Sequence, residues 1–133
     1  MGNKALLDIT YGMYIVGTAH NKKTNALLVS SLVQVNFEPD IIAISIMKSN
    51  HSHDMIKNSL KFSASIISRG TPIGFIKKFG INSGKNEDKL KDIGITVGQN
   101  GCPIVLDNTV SYFEADVLKV IDLQKNTMFI ARV

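Results

Sequence analysis

The chain has 133 residues, of which 44% are hydrophobic and 20% charged, with a formal net charge of +4. This length suits one domain with a substantial hydrophobic core. No apolar run approaches the roughly 20 residues of a membrane-spanning helix. A single cysteine, Cys102, excludes an internal disulfide and the CxxC pairs of zinc or iron–sulfur sites. The first residues lack the apolar segment of a secretory signal, so we expect a cytoplasmic protein.

The first half of the chain alternates strand-like runs with polar turns. Residues 5–9 favour a short helical turn, and residues 11–19, rich in aromatic and β-branched side chains, predict a strand. Residues 26–37 predict one long strand that is buried on both faces for part of its length. Pro39 follows this strand and ends it, because proline cannot continue a central strand. Residues 41–47 form a continuous apolar run, which is typical of a central buried strand.

The second half of the chain adds helices between its strands. A helix is predicted over residues 54–59, with Ser49 or Asn50 as its N-cap. A second helix begins at Pro72, which suits a first helical turn, and residues 87–91 favour a short helical piece. Further strands are predicted at residues 62–67, 110–121 and 127–133.

Six strands, with helices after the third and fourth, predict a mainly β fold. Long adjacent strands joined by short polar turns favour an antiparallel barrel over a doubly wound sheet. We expect a single domain over residues 1–133. The chain ends inside the apolar run 129–133. A barrel needs its last edge covered, so we expect either a second subunit on that edge or a truncated C-terminus.

The most informative segment is residues 48–53, between a buried strand and a helix start. A helix N-terminus offers free backbone N–H groups and a partial positive charge. The segment adds two serine hydroxyls, an amide, a lysine and two imidazoles. This set suits a phosphate monoester, although a polar capping turn without a ligand explains the same residues. Ser30 and Ser31, in an otherwise apolar strand, need hydrogen-bond partners in a ligand or in the backbone.

Other chemistries find little support in the residue patterns. His51 and His53 are two apart and do not share a helix face, and His20 and Cys102 are isolated, so we expect no metal site. No nucleophile motif, phosphate-binding loop or dinucleotide fingerprint is present. The lysines are scattered rather than gathered into a stripe with stacking aromatics, which argues against nucleic-acid binding.

Six segments of the chain, in register, carry a resemblance to a known family. They are Tyr11-Gly12-x-Tyr14-Ile15-Val16; Thr24-Asn25-Ala26 with Ser30-Ser31; Gln34-Val35-x-Phe37-Glu38-Pro39; Lys48-Ser49-x-x-Ser52-His53-x-x-Ile56; Phe79-Gly80-x-x-Ser83-Gly84-x-x-x-x-Lys89; and Thr127-x-Phe129-Ile130. Together they resemble the flavin reductase-like, FMN-binding split-barrel family, and especially the FMN domains of flavoredoxins and high-molecular-weight rubredoxins. The resemblance implies a six-stranded antiparallel Greek-key split barrel with short inserted helices. It also implies a homodimer with FMN near the subunit interface.

The same resemblance implies three groups of cofactor-binding residues. The isoalloxazine and ribityl side would be lined by Asn25, Ala26, Ser30 and Ser31. The phosphate would be held by Lys48, Ser49, Ser52 and His53, which favours the anion-site interpretation of residues 48–53. The loop beside the flavin, from the same or the other subunit, would contribute Phe79, Ser83, Gly84 and Lys89.

The implied function is redox chemistry carried by FMN, with no catalytic side chain. The chain would be an NAD(P)H:flavin or ferric reductase, or an electron carrier that serves a small redox protein such as a rubredoxin or ferredoxin. Asn126 stands where relatives often have the histidine of the nicotinamide side, so direct NAD(P)H use is disfavoured. A rubredoxin partner would be a separate protein, because the CxxC pairs are absent. The alternative is a non-catalytic barrel that binds another anionic ligand or nucleic acid.

Overall fold

The computed structural model describes residues 2–81, 83–84 and 88–133. Within these ranges a 3₁₀ helix, two α-helices and nine strands follow one another along the chain. They are a 3₁₀ helix at Lys4–Asp8, β1 (Tyr14–His20), β2 (Lys23–Val29), β3 (Leu32–Asn36), β4 (Ile41–Met47), α1 (His51–Ser59), β5 (Lys61–Ile67), α2 (Ile73–Gly80), β6 (Ile95–Val97), β7 (Pro103–Val105), β8 (Thr109–Asp122) and β9 (Asn126–Arg132).

Seven of the strands form one antiparallel sheet in the order β2-β1-β5-β8-β9-β4-β3. Its two edge strands, β2 and β3, are consecutive in sequence, and only Ser30 and Ser31 separate them. The three steps from Val29 to Leu32 span about 11 Å at most, so the sheet must curl until its edges meet at this corner. The backbone N–H of Ser45 in β4 donates to the Ser31 carbonyl at 3.1 Å, and this hydrogen bond fixes the corner to β4. The predicted mainly β, antiparallel architecture is confirmed.

The strand count differs from the prediction at one place in this sheet. The long strand predicted over residues 26–37 breaks at Ser30–Ser31 into β2 and β3, so the sheet has seven strands rather than six. Both halves have strand-like composition, so the alternation of their side chains does not reveal the corner between them.

The structure differs from the sequence-based prediction, or limits it, in three other places. A hairpin of two three-residue strands, β6 and β7, was not predicted, since such strands are too short to show alternation. The last strand, β9, pairs with both β4 and β8, so the expectation of an open edge at the C-terminal run is wrong. The helical piece predicted over residues 87–91 falls partly outside the described residues, and residues 89–91 form turns.

The side-chain alternation of β4 separates the core from the outer face of the barrel. Ile42, Ile44 and Ile46 are at most 4% exposed and join the main core cluster. Burying side chains of this size contributes about 1.5–3 kcal/mol each. Ser45 and Met47 therefore face outward, because successive side chains alternate across a strand. Their partners on β9 are Met128 and Asn126, which share this outer face.

Helix α1 follows β4 directly and packs on the barrel. The Asn50 side chain accepts a hydrogen bond from the Ser52 N–H at 2.9 Å, so this N-cap starts the helix three residues before the predicted first residue. Leu60 ends the helix in the left-handed conformation, and its N–H donates to the Ile56 carbonyl at 2.7 Å. Neither α-helix of the described ranges has the length and apolar character needed to cross a membrane.

Candidate functional site

Among the cavities that the described residues form, two border successive outward-facing residues of β4, Ser45 and Met47. The large outer cavity has a volume of about 460 Å³, and its walls include Ser30, Ser31, Ser45, Met128 and residues 9–12. The helix-end cavity, of about 200 Å³, lies at the start of α1 and borders Met47. Ser45 and Met47 are two residues apart on one strand face, a step of about 7 Å. One outward-facing strip of β4 therefore joins the two cavities.

The helix-end cavity combines several groups that attract an anion. Its walls include Ser49, Asn50 and His51 at the start of α1, where backbone N–H groups and the helix dipole favour negative charge. Lys89 lines the same cavity and is only 3% exposed. The Lys89 ammonium donates to the carbonyls of Ala26 at 3.1 Å and Phe79 at 3.4 Å. A buried cation beside a helix N-terminus makes this cavity suited to a phosphate monoester.

Asn25 connects three elements around the helix-end cavity. Its side chain is 4% exposed and donates from Nδ2 to the Ser52 hydroxyl oxygen at 2.8 Å. Gly84 packs directly on the same amide, where a Cβ would clash with the Asn25 Oδ1. Asn25 thus holds β2, α1 and the wall containing Gly84 together, and this close approach requires glycine at position 84.

His53 is a buried link between α1 and β9. It is 3% exposed, its Nε2 lies 2.7 Å from the Thr127 hydroxyl, and its Nδ1 lies 2.8 Å from an Asp54 carboxylate oxygen. Its ring also packs against Phe129, with 5.8 Å between the ring centroids. Both nitrogens have partners within the chain, so the contacts of His53 orient α1 over β9.

Lys48, which follows β4, forms an ion pair with the last residue of β8. Its ammonium lies 2.7 Å from the Asp122 carboxylate. The hydrogen bond from Lys48 lowers the pKa of Asp122 below its ordinary value, and the Gln124 backbone N–H acts in the same direction. Lys48 lines neither cavity, so in this arrangement it serves an ion pair at the protein surface.

The predicted site residues fall into four groups in the structure. Those lining the helix-end cavity are Ser49, Phe79, Ser83, Gly84 and Lys89. Those packed behind its wall are Asn25 and Ala26. Those lining the large outer cavity are Ser30 and Ser31. Those lining neither cavity are Lys48, Ser52 and His53, and their contact with phosphate stays a prediction.

Sequence reasoning missed several cavity residues, some of which had a readable signal. Ser45 is the polar residue within an apolar strand, the same signal that identified Ser30 and Ser31. Asn50 and His51 were part of the polar set of residues 48–53 that suits a phosphate, but they were not among the cofactor-binding residues that the resemblance implies. Met128 gives no signal, because only strand register places it beside Ser45. Among the described residues, no cluster of three or more His, Cys, Asp or Glu could hold a metal ion.

The sequence matches the family described as "Flavin reductase like domain" over residues 6–133. It is 32% identical over 133 residues to the high molecular weight rubredoxin of Moorella thermoacetica, covering all of this chain and 58% of that protein. It is 30% identical over 130 residues to the ferric-chelate reductase (NAD(P)H) of Archaeoglobus fulgidus, covering 98% of this chain and 77% of that protein. The chain thus spans little more than half the length of the Moorella relative.

Solved structures show the same architecture at low sequence identity. A flavoredoxin from Methanosarcina acetivorans superposes with a TM-score of 0.84 at 18% identity, covering 92% of this chain and 66% of that one. An FMN-binding protein from Thermus thermophilus superposes with a TM-score of 0.87 at 19% identity, covering 100% of this chain and 74% of that one. The family match over residues 6–133 shows that the chain belongs to the flavin reductase-like domain family, and the predicted family and fold are confirmed.

Proposed function

We propose that this chain binds FMN non-covalently along the outer face of β4 and transfers electrons or hydride through it. The observation that carries the proposal is the pairing of two unlike cavities on one strand face. The helix-end cavity offers a buried cation and a helix N-terminus, and the large outer cavity offers apolar walls with serine hydroxyls. FMN has matching ends, a phosphate monoester and a flat aromatic ring with polar atoms along one edge.

The phosphate end fits the residues that are present. Lys89 supplies a positive charge, Ser49 and Ser83 line the same cavity, and the first turn of α1 supplies backbone N–H groups. Gly84 allows the wall to close on Asn25. A compact candidate anion site of about 200 Å³ among the described residues, with no second nucleotide motif in the sequence, favours FMN over FAD.

The ring end fits the large outer cavity. Ser30, Ser31 and Ser45 would offer hydroxyls to the polar edge of the ring, and Met128 an apolar surface. When bound, FMN supplies the acceptance and release of hydride or of single electrons, and the protein supplies binding, orientation and exclusion of water. The identity of the cofactor is tested by releasing the bound ligand with heat and identifying it by chromatography. Recovery of FAD, or failure to recover any flavin even after reconstitution of the protein with flavin, would contradict the proposal.

A homodimer is part of the proposed function. The edge strand β3 leaves Val33 58% and Val35 53% exposed, and Phe37 just beyond it is 72% exposed. An open strand edge with apolar side chains is a liability that a second copy removes. The exposed β3 edge therefore supports the proposed dimer, whereas the C-terminal strand, on which the sequence-based expectation depended, does not.

For the electron partner we propose a small redox protein such as a rubredoxin or ferredoxin. Hydride transfer from NAD(P)H needs the nicotinamide held at roughly 3–3.5 Å from the flavin. Asn126, on the outer face of β9, cannot carry positive charge toward a dinucleotide phosphate, and its amide donates to the Ser45 hydroxyl at 2.9 Å. One-electron exchange only requires that the flavin edge comes close to the partner. The relative from Moorella, named a high molecular weight rubredoxin, supports this choice.

The second candidate is an NAD(P)H-dependent ferric or flavin reductase. It is favoured by the Archaeoglobus relative, which is named ferric-chelate reductase (NAD(P)H) and matches nearly the whole chain. Anaerobic stopped-flow mixing separates the candidates. We expect NADH or NADPH to bleach the flavin slowly and reduced rubredoxin or ferredoxin to bleach it faster. In an Asn126→His variant, bleaching by NADH should become faster than in the wild type. Bleaching of the wild type by NADH within milliseconds, with repeated turnover, would establish the second candidate instead.

A further inference from the structure

The first two residues of the Tyr11-Gly12-x-Tyr14 motif belong to a segment outside the barrel core, and Tyr14 is the first residue of β1. All of residues 2–13 are exposed, and the 3₁₀ helix Lys4–Asp8 buries no residue. The hydrogen bonds shown for residues 3–9 are local to the segment. Its last residue, Met13, accepts a long hydrogen bond from the barrel, with 3.5 Å between the Ile67 nitrogen and the Met13 carbonyl oxygen. Such a segment can shift at low free-energy cost.

The same segment nevertheless forms one wall of the large outer cavity. Residues 9–12 line it together with Ser45 and Met128 on the barrel face. Large apolar side chains of the segment remain exposed, with Leu7 at 85% and Tyr11 at 56%. Because burial of apolar surface is favourable, an apolar occupant of the cavity would draw this wall towards itself.

Gly12 sets how the segment meets the barrel. A Cβ at this position would clash with the ring and hydroxyl of Tyr14. Tyr14 is half-buried and lines the same cavity as Tyr11. Glycine at position 12 therefore lets the chain cross close over the Tyr14 ring, which leaves two tyrosine side chains on the walls of one cavity. Flat aromatic side chains favour a flat aromatic partner.

We propose that residues 9–12 form a strap that closes over the FMN ring, with Tyr11 against the ring and Tyr14 as the fixed wall below. This inference rests on the proposed function, because it takes the ring to occupy the large outer cavity. It assigns to the Tyr11-Gly12-x-Tyr14 motif a direct role in flavin binding at the ring end, independent of the phosphate contacts made near Lys89.

The test is a titration of FMN and riboflavin against Tyr11→Leu, with Tyr112→Leu as the matched control. Tyr112 is similarly exposed, at 51%, but lies on β8 and lines neither cavity. We expect Tyr11→Leu to bind both flavins about two- to tenfold more weakly, the scale of one aromatic contact. The bound flavin should also fluoresce more strongly and be more open to iodide quenching, since contact with a phenol ring quenches flavin emission.

A second variant, Gly12→Ala, should also bind both flavins more weakly, because the added methyl group displaces the strap from Tyr14. If Tyr11→Leu and Gly12→Ala match the Tyr112→Leu control in affinity, fluorescence and iodide access, the strap inference is overturned. Loss of FMN binding in Lys89→Met would leave the proposed function standing in that case. A wild-type protein that binds neither flavin would overturn the proposed function itself.

Discussion

Lys89 is the side chain on which the phosphate end of the proposed site depends most. It is 3% exposed, lines the helix-end cavity and donates to the carbonyls of Ala26 and Phe79. Replacing it with methionine keeps the unbranched apolar stem and removes the charge. We expect Lys89→Met to weaken FMN strongly and riboflavin much less, because riboflavin lacks the phosphate.

The magnitude follows from the contact that is lost. A hydrogen bond to a charged group contributes about 1.5–3 kcal/mol, which corresponds to a roughly 10- to 150-fold increase in the Kd for FMN. The loss should lie within this range rather than near the 0–1 kcal/mol of exposed ion pairs, because Lys89 is buried. Lys91, two residues on and exposed, provides the matched control for long-range charge.

The assay is a fluorescence titration of both flavins with wild type, Lys89→Met and Lys91→Met. Thermal unfolding of the three unliganded proteins separates ligand effects from stability, since methionine also removes a donor from two carbonyls. Equal losses of affinity for FMN and riboflavin, or an unchanged Kd for FMN, would refute the placement of the phosphate in the helix-end cavity at the start of α1.

Three further predictions address the cavity wall, the assembly and the buried thiol. Gly84→Ala should weaken FMN more than riboflavin, because the new methyl group displaces the wall from the Asn25 amide; unchanged titrations would contradict this. Light scattering at micromolar concentration should give twice the mass of the chain, and a monomer that retains FMN would exclude the dimer. Burial raises the pKa of the Cys102 thiol to about 11. Iodoacetamide should therefore react slowly at about pH 8.5, where an ordinary thiol is half ionised. Folding stability should fall as the pH rises from about 9 towards 11, because the unfolded thiol loses its proton first; rapid alkylation of the native protein would show that the thiol is accessible.

The strands could be predicted where one local pattern dominates. The apolar run 41–47 coincides with β4, and the long β-branched runs near the C-terminus coincide with β8 and β9 within a residue or two. The corner at Ser30–Ser31 could not be predicted in this way, because both flanking halves are strand-like. The order of the strands in the sheet depends on long-range pairing, so the last strand proved central although it ends the chain.

The candidate site shows a similar division between chemistry and placement. The polar segment 48–53 predicted a helix start, and this is confirmed because capping chemistry is local, whereas its role as an anion site stays a prediction. Which of its side chains face the cavity depends on helix phase and on tertiary partners. Ser49 lines the cavity, whereas Ser52 is buried against Asn25 and His53 against Thr127. A motif therefore combines residues that line a site with residues that hold it in place.

The alternation of β4 links the core to the site through one constraint. Ile42, Ile44 and Ile46 are buried inside the barrel, so the residues between them must face outward. Ser45 and Met47 are therefore fixed on the strip that joins the two cavities. A shift of one residue in the β4 register would place the isoleucines on this strip and the serine in the core. The packing that stabilises the barrel thus also sets the separation between the cation at Lys89 and the serines of the large outer cavity.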